Sequence, residues 1–550
     1  MNRLAFAVAL SLTATIVSAQ PREGARKPPK LILQITIDQL RGDLPFRYID
    51  RLSARGFRLF MDRGIWYADA QHEHAEYETA VGHATLATGA WPSRHGMITN
   101  SAFEDYGGVA GIPVTTFSDE LNITTHGRAK IFGVSMKDRG AAPLAGHTGK
   151  AFWYSSSDGC FRTSTYYYPT APPQWVTDWC GRRPADQYAN TSWELLFDRS
   201  TYLFRDVTNV YPAGSVAEAN MKELDTTYRF NRTFPHPLGS GRGLYQALML
   251  APQGDVLTAD FAKELLRQEN LGDDDITDYL AISFSLTDYI AHWFSPTSLE
   301  SEDNLLRLDR TLESLFAFID AEVGLSNTLL VLAADHGGPE YPEYLATISV
   351  PTGRVAAKAV SDAATAAVSA RYGTTDAIIK SYSPPYFYLD PAMLQKHKLS
   401  AAEVEAVVAE AAMSVQGIAV AVPTTQLLNG GGAADAAFLA HLRRNYFRGR
   451  SGNVYVVPKP QWQQDAEGNP PKLLSHAYTW AYDAYVPVAF AGAGLPSAMV
   501  YRRISTTDVA ATLSAYMKTK FPSGNVGVPL VEVVDRTNRT ERLDASRDVQ

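Results

Sequence analysis

Leu31-Ile32-Leu33-Gln34-Ile35-Thr36-Ile37, closed by Asp38, is a largely apolar run that ends on a carboxylate. Such a run reads as a strand buried on both faces, the kind that parallel sheets contain. The pattern returns in Tyr279-Leu280-Ala281-Ile282-Ser283-Phe284-Ser285, which leads to Asp288, and in Thr328-Leu329-Leu330-Val331-Leu332-Ala333-Ala334, which leads to Asp335. Between these two, Leu305, Leu308, Leu312, Leu315, Phe316 and Ile319 recur at helical spacing, with charges on the opposite face. Strand, amphipathic helix, strand is β-α-β order and predicts an α/β fold with a parallel sheet and crossover helices. Ligands of such sheets gather beyond the carboxyl ends of the strands, where all three aspartates fall.

Histidines accompany them. Asp288 and His292 stand at i, i+4, so both face one way if the strand runs directly into a helix. Asp335 and His336 are adjacent, and serve neighbouring ions only from irregular backbone. A lone His476 follows much later. Carboxylate and imidazole suit zinc or a similar divalent ion. Either pair alone is also what a satisfied structural contact looks like; two pairs, each just after a buried strand, favour ligation. Far away, Thr79 precedes Ala80-Val81-Gly82-His83-Ala84-Thr85-Leu86-Ala87-Thr88-Gly89, a small-residue helix with a glycine stop. A hydroxyl at that helix start is either a plain cap or a nucleophile placed where backbone N–H groups favour an anion. Lys137-Asp138-Arg139 adds two cations within three residues. Alcohol, hard N/O ligands and paired cations together describe metal-assisted phosphoryl transfer.

Composition limits the alternatives. The chain of 550 residues has a net charge of −8, which argues against nucleic acid as its main partner. Hydrophobic content of 45% against 20% charged residues excludes wholesale disorder. Met1-Asn2-Arg3, the uncharged stretch Leu4 to Val17 and Val17-Ser18-Ala19 predict a signal peptide cleaved after Ala19, hence a periplasmic or secreted protein. No later segment is apolar for the roughly 20 residues a membrane span needs. In an oxidising compartment Cys160 and Cys180 can pair, with a gain of about 3 kcal/mol; two buried free thiols are the other reading.

The organisation expected is a catalytic α/β core in three parts, 20–150, 251–345 and 471–550. A loop-rich insertion over the site, 151–250, and an inserted subdomain, 346–470, interrupt it. Residues 1–19 are the signal peptide, and the charged tail after about residue 532 frays.

Thr79-Ala80-Val81-Gly82-His83, then Gly89 with Pro92-Ser93-Arg94-His95-Gly96-Met97, resembles the nucleophile region of the alkaline phosphatase superfamily. Lys137-Asp138-Arg139-Gly140 with Ala145-Gly146-His147 is similar to its PafA-type branch. The resemblance runs through nearly the whole mature chain in motif order. It implies an alkaline-phosphatase-like sandwich, a central mostly parallel sheet flanked by helices, with inserted cap regions. It further implies two zinc ions per chain, one served by Asp38, Thr79, Asp335 and His336, the other by Asp288, His292 and His476. Thr79 would form a phosphothreonine. Asn100 would hydrogen-bond a phosphoryl oxygen, and Lys137 and Arg139 would bind the remaining charge of small-molecule phosphate monoesters.

Two other functions stay open on the residues. A phosphodiesterase or nucleotide pyrophosphatase would use the same bimetallic core; the Lys/Arg pair favours monoesters, whose transition state carries more negative charge. A non-catalytic exported metal- or phosphate-binding protein would have no need of Thr79. A sulfatase is disfavoured, because there is no Cys/Ser-x-Pro-x-Arg segment. Glu76 and Glu78 flank the nucleophile where relatives tend to carry apolar residues or proline. Facing inward, they would repel a phosphate. A monomer is compatible with these features.

Overall fold

The structure, a computed structural model, describes residues 27–429, 436–465 and 474–535. The expected signal peptide with its cleavage after Ala19, and nearly all of the charged tail, lie outside the described residues. The first strand, β1 (Leu31–Ile37), is buried throughout, as its apolar run requires. In chain order follow β2 (Ile65–Gln71), β3 (Ile131–Ser135), β4 (Lys150–Ser155), β5 (Cys160–Arg162), β6 (Asp278–Phe284) and β7 (Thr328–Ala333). Inserted next are β8 (Ile379–Ser383), β9 (Tyr386–Leu389), β10 (Ile418–Pro423) and β11 (Val454–Pro458); β12 (Tyr485–Gly492) and β13 (Ala498–Ser505) then return to the core.

Nine strands form the main sheet in the order β13-β2-β12-β7-β1-β6-β3-β4-β5. It is mostly parallel: β12 runs against both neighbours and β5 against β4. Register places the site. Ile37 pairs with Phe284 of β6, and Thr36 with Ala333 of β7. The residues that follow, Asp38, Ser285 and Ala334-Asp335, therefore leave the sheet at one edge and one level.

Pleat alternation divides the core. Leu31, Leu33, Ile35 and Ile37 share one buried cluster with Leu305, Leu308, Leu312 and Ile319 of the helix Leu299–Glu322. Ile32 instead joins Val509, Ala510 and Leu513 of the helix Asp508–Met517 on the opposite face. Helices thus cover both faces of the sheet, as a buried parallel sheet demands.

The main sheet extends past residue 150, through β4 and β5, so the loop-rich stretch begins only after Arg162. Phe152, Trp153 and Tyr154 look like loop composition beside the Tyr/Pro-rich segment, yet aromatic residues suit a half-buried strand. Cys160 and Cys180 are disulfide-bonded and tie β5 to the helix Gln174–Gly181. The segment beyond packs over Leu299–Glu322, where Trp193 and Tyr202 both donate to Asp303. The second excursion carries a four-stranded sheet, β8-β9-β11-β10, with its own core from helices Ala357–Tyr372 and Ala401–Met413. It docks beside the nucleophile segment. Tyr455 of β11 donates to Glu76 Oε2 at 2.6 Å, and Arg450 donates to the carbonyls of Gly96 and Gly111.

Candidate active site

Thr79 opens α1 (Thr79–Thr88), after Glu78 holds extended backbone at φ −120°, ψ 159°. Gly89, at φ +60°, ends the helix as glycine does at a left-handed cap, its N–H bonded to the Thr85 carbonyl. Thr79 is therefore the first helical residue and Glu78 holds the cap position. Asn100 opens a second short helix, α2 (Asn100–Asp105), capped by the side chain of Thr99. Its Oδ1 accepts the Ala80 N–H at 2.9 Å, and its own N–H donates to the Glu78 carboxylate. With Oδ1 engaged, the amide nitrogen of Asn100 is the donor left for a ligand.

Lys137 caps α3 (Asp138–Ala145) just after β3, at a bend where Ser135 Oγ accepts the Lys137 N–H at 3.1 Å. Its buried ammonium lies 2.5 Å from Asp38 Oδ2, pairs with Asp288 and reaches Thr79 Oγ1 at 3.4 Å. Burial alone would lower its pKa; Asp288 and Asp38 outweigh it and hold the cation. The Arg139 guanidinium forms no ion pair among the described residues, and its buried Nε has no hydrogen-bond acceptor. Burial opposes its charge too, with Tyr289 and the aspartates more than compensating.

Asp288 and His292 share one face of α4 (Leu286–Phe294), Nε2 to Oδ1 at 3.1 Å. His476 Nε2 stands 3.3 Å from the same oxygen. Asp335 and His336 follow β7 on backbone that is neither strand nor helix, which lets adjacent side chains converge. His336 Nε2 is 3.5 Å from both Asp38 Oδ1 and Asp335 Oδ2. Two overlapping groups result, Asp38 with Asp335 and His336, and Asp288 with His336 and His476, each with ligand atoms within 4.8 Å. His336 thus stands between the two groups, where the family resemblance implies a place with Asp38, Thr79 and Asp335. Every imidazole is oriented from behind: Nδ1 of His476 meets the Tyr77 carbonyl at 2.6 Å, that of His336 the Gly337 carbonyl at 2.8 Å, and that of His292 the Leu474 carbonyl. With Nδ1 donating to a carbonyl, each Nε2 faces the carboxylates, where it would ligate a cation on giving up any proton it carries.

Asp38 Oδ1, Asp288 Oδ1, Asp335 Oδ2 and His336 Nε2 are buried without hydrogen-bond partners among the described residues, while Asp38 Oδ2 faces the Lys137 ammonium. Burial, then Asp288 and Asp335, push the Asp38 carboxyl well up; Asp288, despite burial, is held down by His292 and Lys137. Burial lowers His336 further, while Asp288 outweighs burial at His476 and raises it to about 9. Unpartnered carboxylate oxygens beside imidazole nitrogens fit divalent cations with N/O preference.

One residue here is absent from the sequence assignment. His83 Nδ1 lies 2.8 Å from the Thr79 carbonyl and 3.2 Å from Asp335 Oδ2, and its Nε2 is 2.8 Å from Ser283 Oγ. Its i+4 spacing from Thr79 was the available signal. The other histidines (His72, His74, His95, His126, His147, His236, His397, His441) join neither group. Glu76 points into the protein, under Tyr455, and Glu78 points across to Asn100. Glu78, Asn100, Arg139, Tyr289 and His292 remain partly exposed around the otherwise buried cluster, so they form its mouth.

Residues 32–479 match the family described as type I phosphodiesterase / nucleotide pyrophosphatase. A protein of Myroides odoratus named calcium-transporting ATPase is 30% identical, covering 92% of this chain and 95% of that one. Alkaline phosphatase PafA of Elizabethkingia meningoseptica is 28% identical over 92% of this chain and 95% of its own length. The crystal structure of wild-type PafA superposes with a TM-score of 0.82 at 28% identity, covering 93% of this chain and all of that one.

Proposed function

The chain belongs to the type I phosphodiesterase / nucleotide pyrophosphatase family and, within the alkaline phosphatase superfamily, to its PafA-type branch; from that membership we propose an exported phosphate monoester hydrolase working through a phosphothreonine on Thr79. It is a phosphatase. The observation that carries the finer reading is the place of the Thr79 hydroxyl. It stands at a helix N-terminus, 3.4 Å from Lys137 Nζ, at the edge of two carboxylate–imidazole groups that share His336.

Asp38, Asp335 and His336, with Thr79, would hold one divalent ion, and Asp288, His292 and His476 the other, with His336 at their border. The ions, zinc by family resemblance, would supply Lewis-acid stabilisation of attacking and leaving oxygens. The protein's own residues do the rest. Thr79 Oγ attacks phosphorus in line as the ester oxygen departs, and water then releases phosphate from the threonine. The first turn of α1 and its dipole favour the anion there. Asn100 donates through its free amide nitrogen to one phosphoryl oxygen. Arg139, unpaired at the mouth, takes a phosphate edge bidentately, and Lys137 contributes a point charge close to Thr79. Export agrees with the N-terminal sequence and with the disulfide. Among the described residues no helix is long and apolar enough to cross a membrane.

Rates on a phosphate monoester and its methyl diester test this reading. Monoester turnover should exceed diester turnover. Lys137→Ala or Arg139→Ala should lower the monoester rate by about 10²-fold or more, with a smaller effect on the diester. Faster diester turnover, untouched by Lys137→Ala, would transfer the assignment to a phosphodiesterase. Full turnover by Thr79→Ala would remove the covalent mechanism.

A further inference from the structure

Glu78 occupies the cap position of α1, where a polar side chain ordinarily accepts an N–H from its own first turn. It makes no such bond. Its carboxylate reaches instead to the backbone N–H of Asn100, the first residue of α2. Asn100 answers by accepting the Ala80 N–H through Oδ1 at 2.9 Å. Two helix starts are joined by a reciprocal pair of hydrogen bonds, with Thr79 between Glu78 and Ala80. One bond sets the backbone of Asn100 and the other sets its amide plane, so the free amide nitrogen has one direction relative to the Thr79 hydroxyl.

A carboxylate next to the nucleophile would by itself oppose a dianionic substrate. Here one oxygen is engaged by a backbone N–H, which turns the carboxylate toward Asn100. Glu76, the neighbouring acid, is turned under Tyr455. We propose that Glu78 is a positioning residue that acts through Asn100, aiming its amide donor at the phosphoryl oxygen. This rests on Asn100 being the phosphoryl donor in the function proposed above.

The test is a double-mutant cycle on the metal-loaded full-length enzyme. It compares wild type, Glu78→Ala, Glu78→Gln, Asn100→Ala and Glu78→Ala/Asn100→Ala. The readouts are kcat/KM for a phosphate monoester and the inhibition constant of inorganic phosphate. Glu78→Ala should worsen both about tenfold, the factor that one hydrogen bond of about 1.4 kcal/mol corresponds to. Glu78→Gln, whose amide oxygen still accepts the N–H, should stay within about threefold. In the Asn100→Ala background, Glu78→Ala should change either constant by less than about twofold. If Glu78→Ala does not yield folded protein, Glu78→Asp, too short to keep the bond, replaces it in the cycle.

An equal loss in both backgrounds would overturn the inference, as would Glu78→Gln failing like Glu78→Ala, or Glu78→Ala improving kcat/KM. If Asn100→Ala itself leaves both constants at wild-type values, the phosphoryl-donor assignment of Asn100 falls, and this inference with it. The earlier outcomes remove the role of Glu78 alone.

Discussion

Gly82 and Asp335 meet backbone to backbone: a Cβ on Gly82 would lie 2.0 Å from the Asp335 carbonyl oxygen. The helix that begins with Thr79 therefore packs directly on the loop that carries Asp335 and His336, and only glycine allows the approach. Gly82→Ala should gain up to about 1 kcal/mol of helix propensity and lose far more to the collision. The expected result is a drop in kcat of at least about tenfold together with weaker metal retention, since a small misplacement of reacting groups is costly. Steady-state kinetics and elemental analysis of the purified variant check it. An active Gly82→Ala protein with full metal content would show that the contact is not needed.

Removing metal should remove activity. Asp38 Oδ1, Asp288 Oδ1, Asp335 Oδ2 and His336 Nε2, four buried ligand atoms without hydrogen-bond partners among the described residues, suit bound cations. Elemental analysis should give two zinc per chain. Chelation should abolish monoester turnover by roughly 10³-fold, the rate equivalent of several kcal/mol of lost charge stabilisation, and added zinc should restore it. Asp288→Asn should lower the zinc content on its own. Activity that survives complete chelation would contradict the proposed chemistry.

Acid should destabilise the fold through buried histidines. His72 lies fully buried, Nε2 3.1 Å from the Ala334 carbonyl and Nδ1 2.9 Å from Thr506 Oγ1; burial pushes its pKa down to about 4. The unfolded chain titrates near 6.5, so the unfolded state binds the proton first as pH drops. The stability is fully present above pH 6.5 and is lost as pH falls toward 4, by about 3 kcal/mol. His74 and His95, lowered chiefly by burial, act with the same sign. Thermal melts from pH 7.5 to 5 should show a falling Tm, with a shallower fall in His72→Gln. A flat profile over that window would count against the neutral buried state.

Reduction should act on stability without touching the chemistry. The Cys160–Cys180 bridge closes a loop with a sequence separation of 20 and ties β5 to the helix Gln174–Gly181, away from Thr79. Cys160→Ser/Cys180→Ser should lose about 3 kcal/mol in chemical denaturation, while kcat on a monoester stays within about twofold at a temperature where the variant is folded. A comparable collapse of kcat would mean that this strand edge also shapes the site.

Asp38, Asp288 and Asp335 were legible because a buried parallel strand declares itself by a largely apolar run, and acidic residues soon after it emerge beyond its carboxyl end. The pairs Asp288/His292 and Asp335/His336 were legible for a related reason, since local spacing limits where neighbouring side chains can point. Thr79 could be placed at a helix start from Gly89 and the small residues between them. Tertiary structure alone decided that Thr36 pairs with Ala333 and Ile37 with Phe284, and so that three distant carboxylates reach one level. It also decided that His336 borders both groups, that His83 supports Asp335, and that Glu78 reaches Asn100 instead of the substrate. Each of these depends on strand register or on the packing of helices far apart in the chain. A local pattern states which residue type is available at a position; only the packed backbone states which way it faces and what it meets.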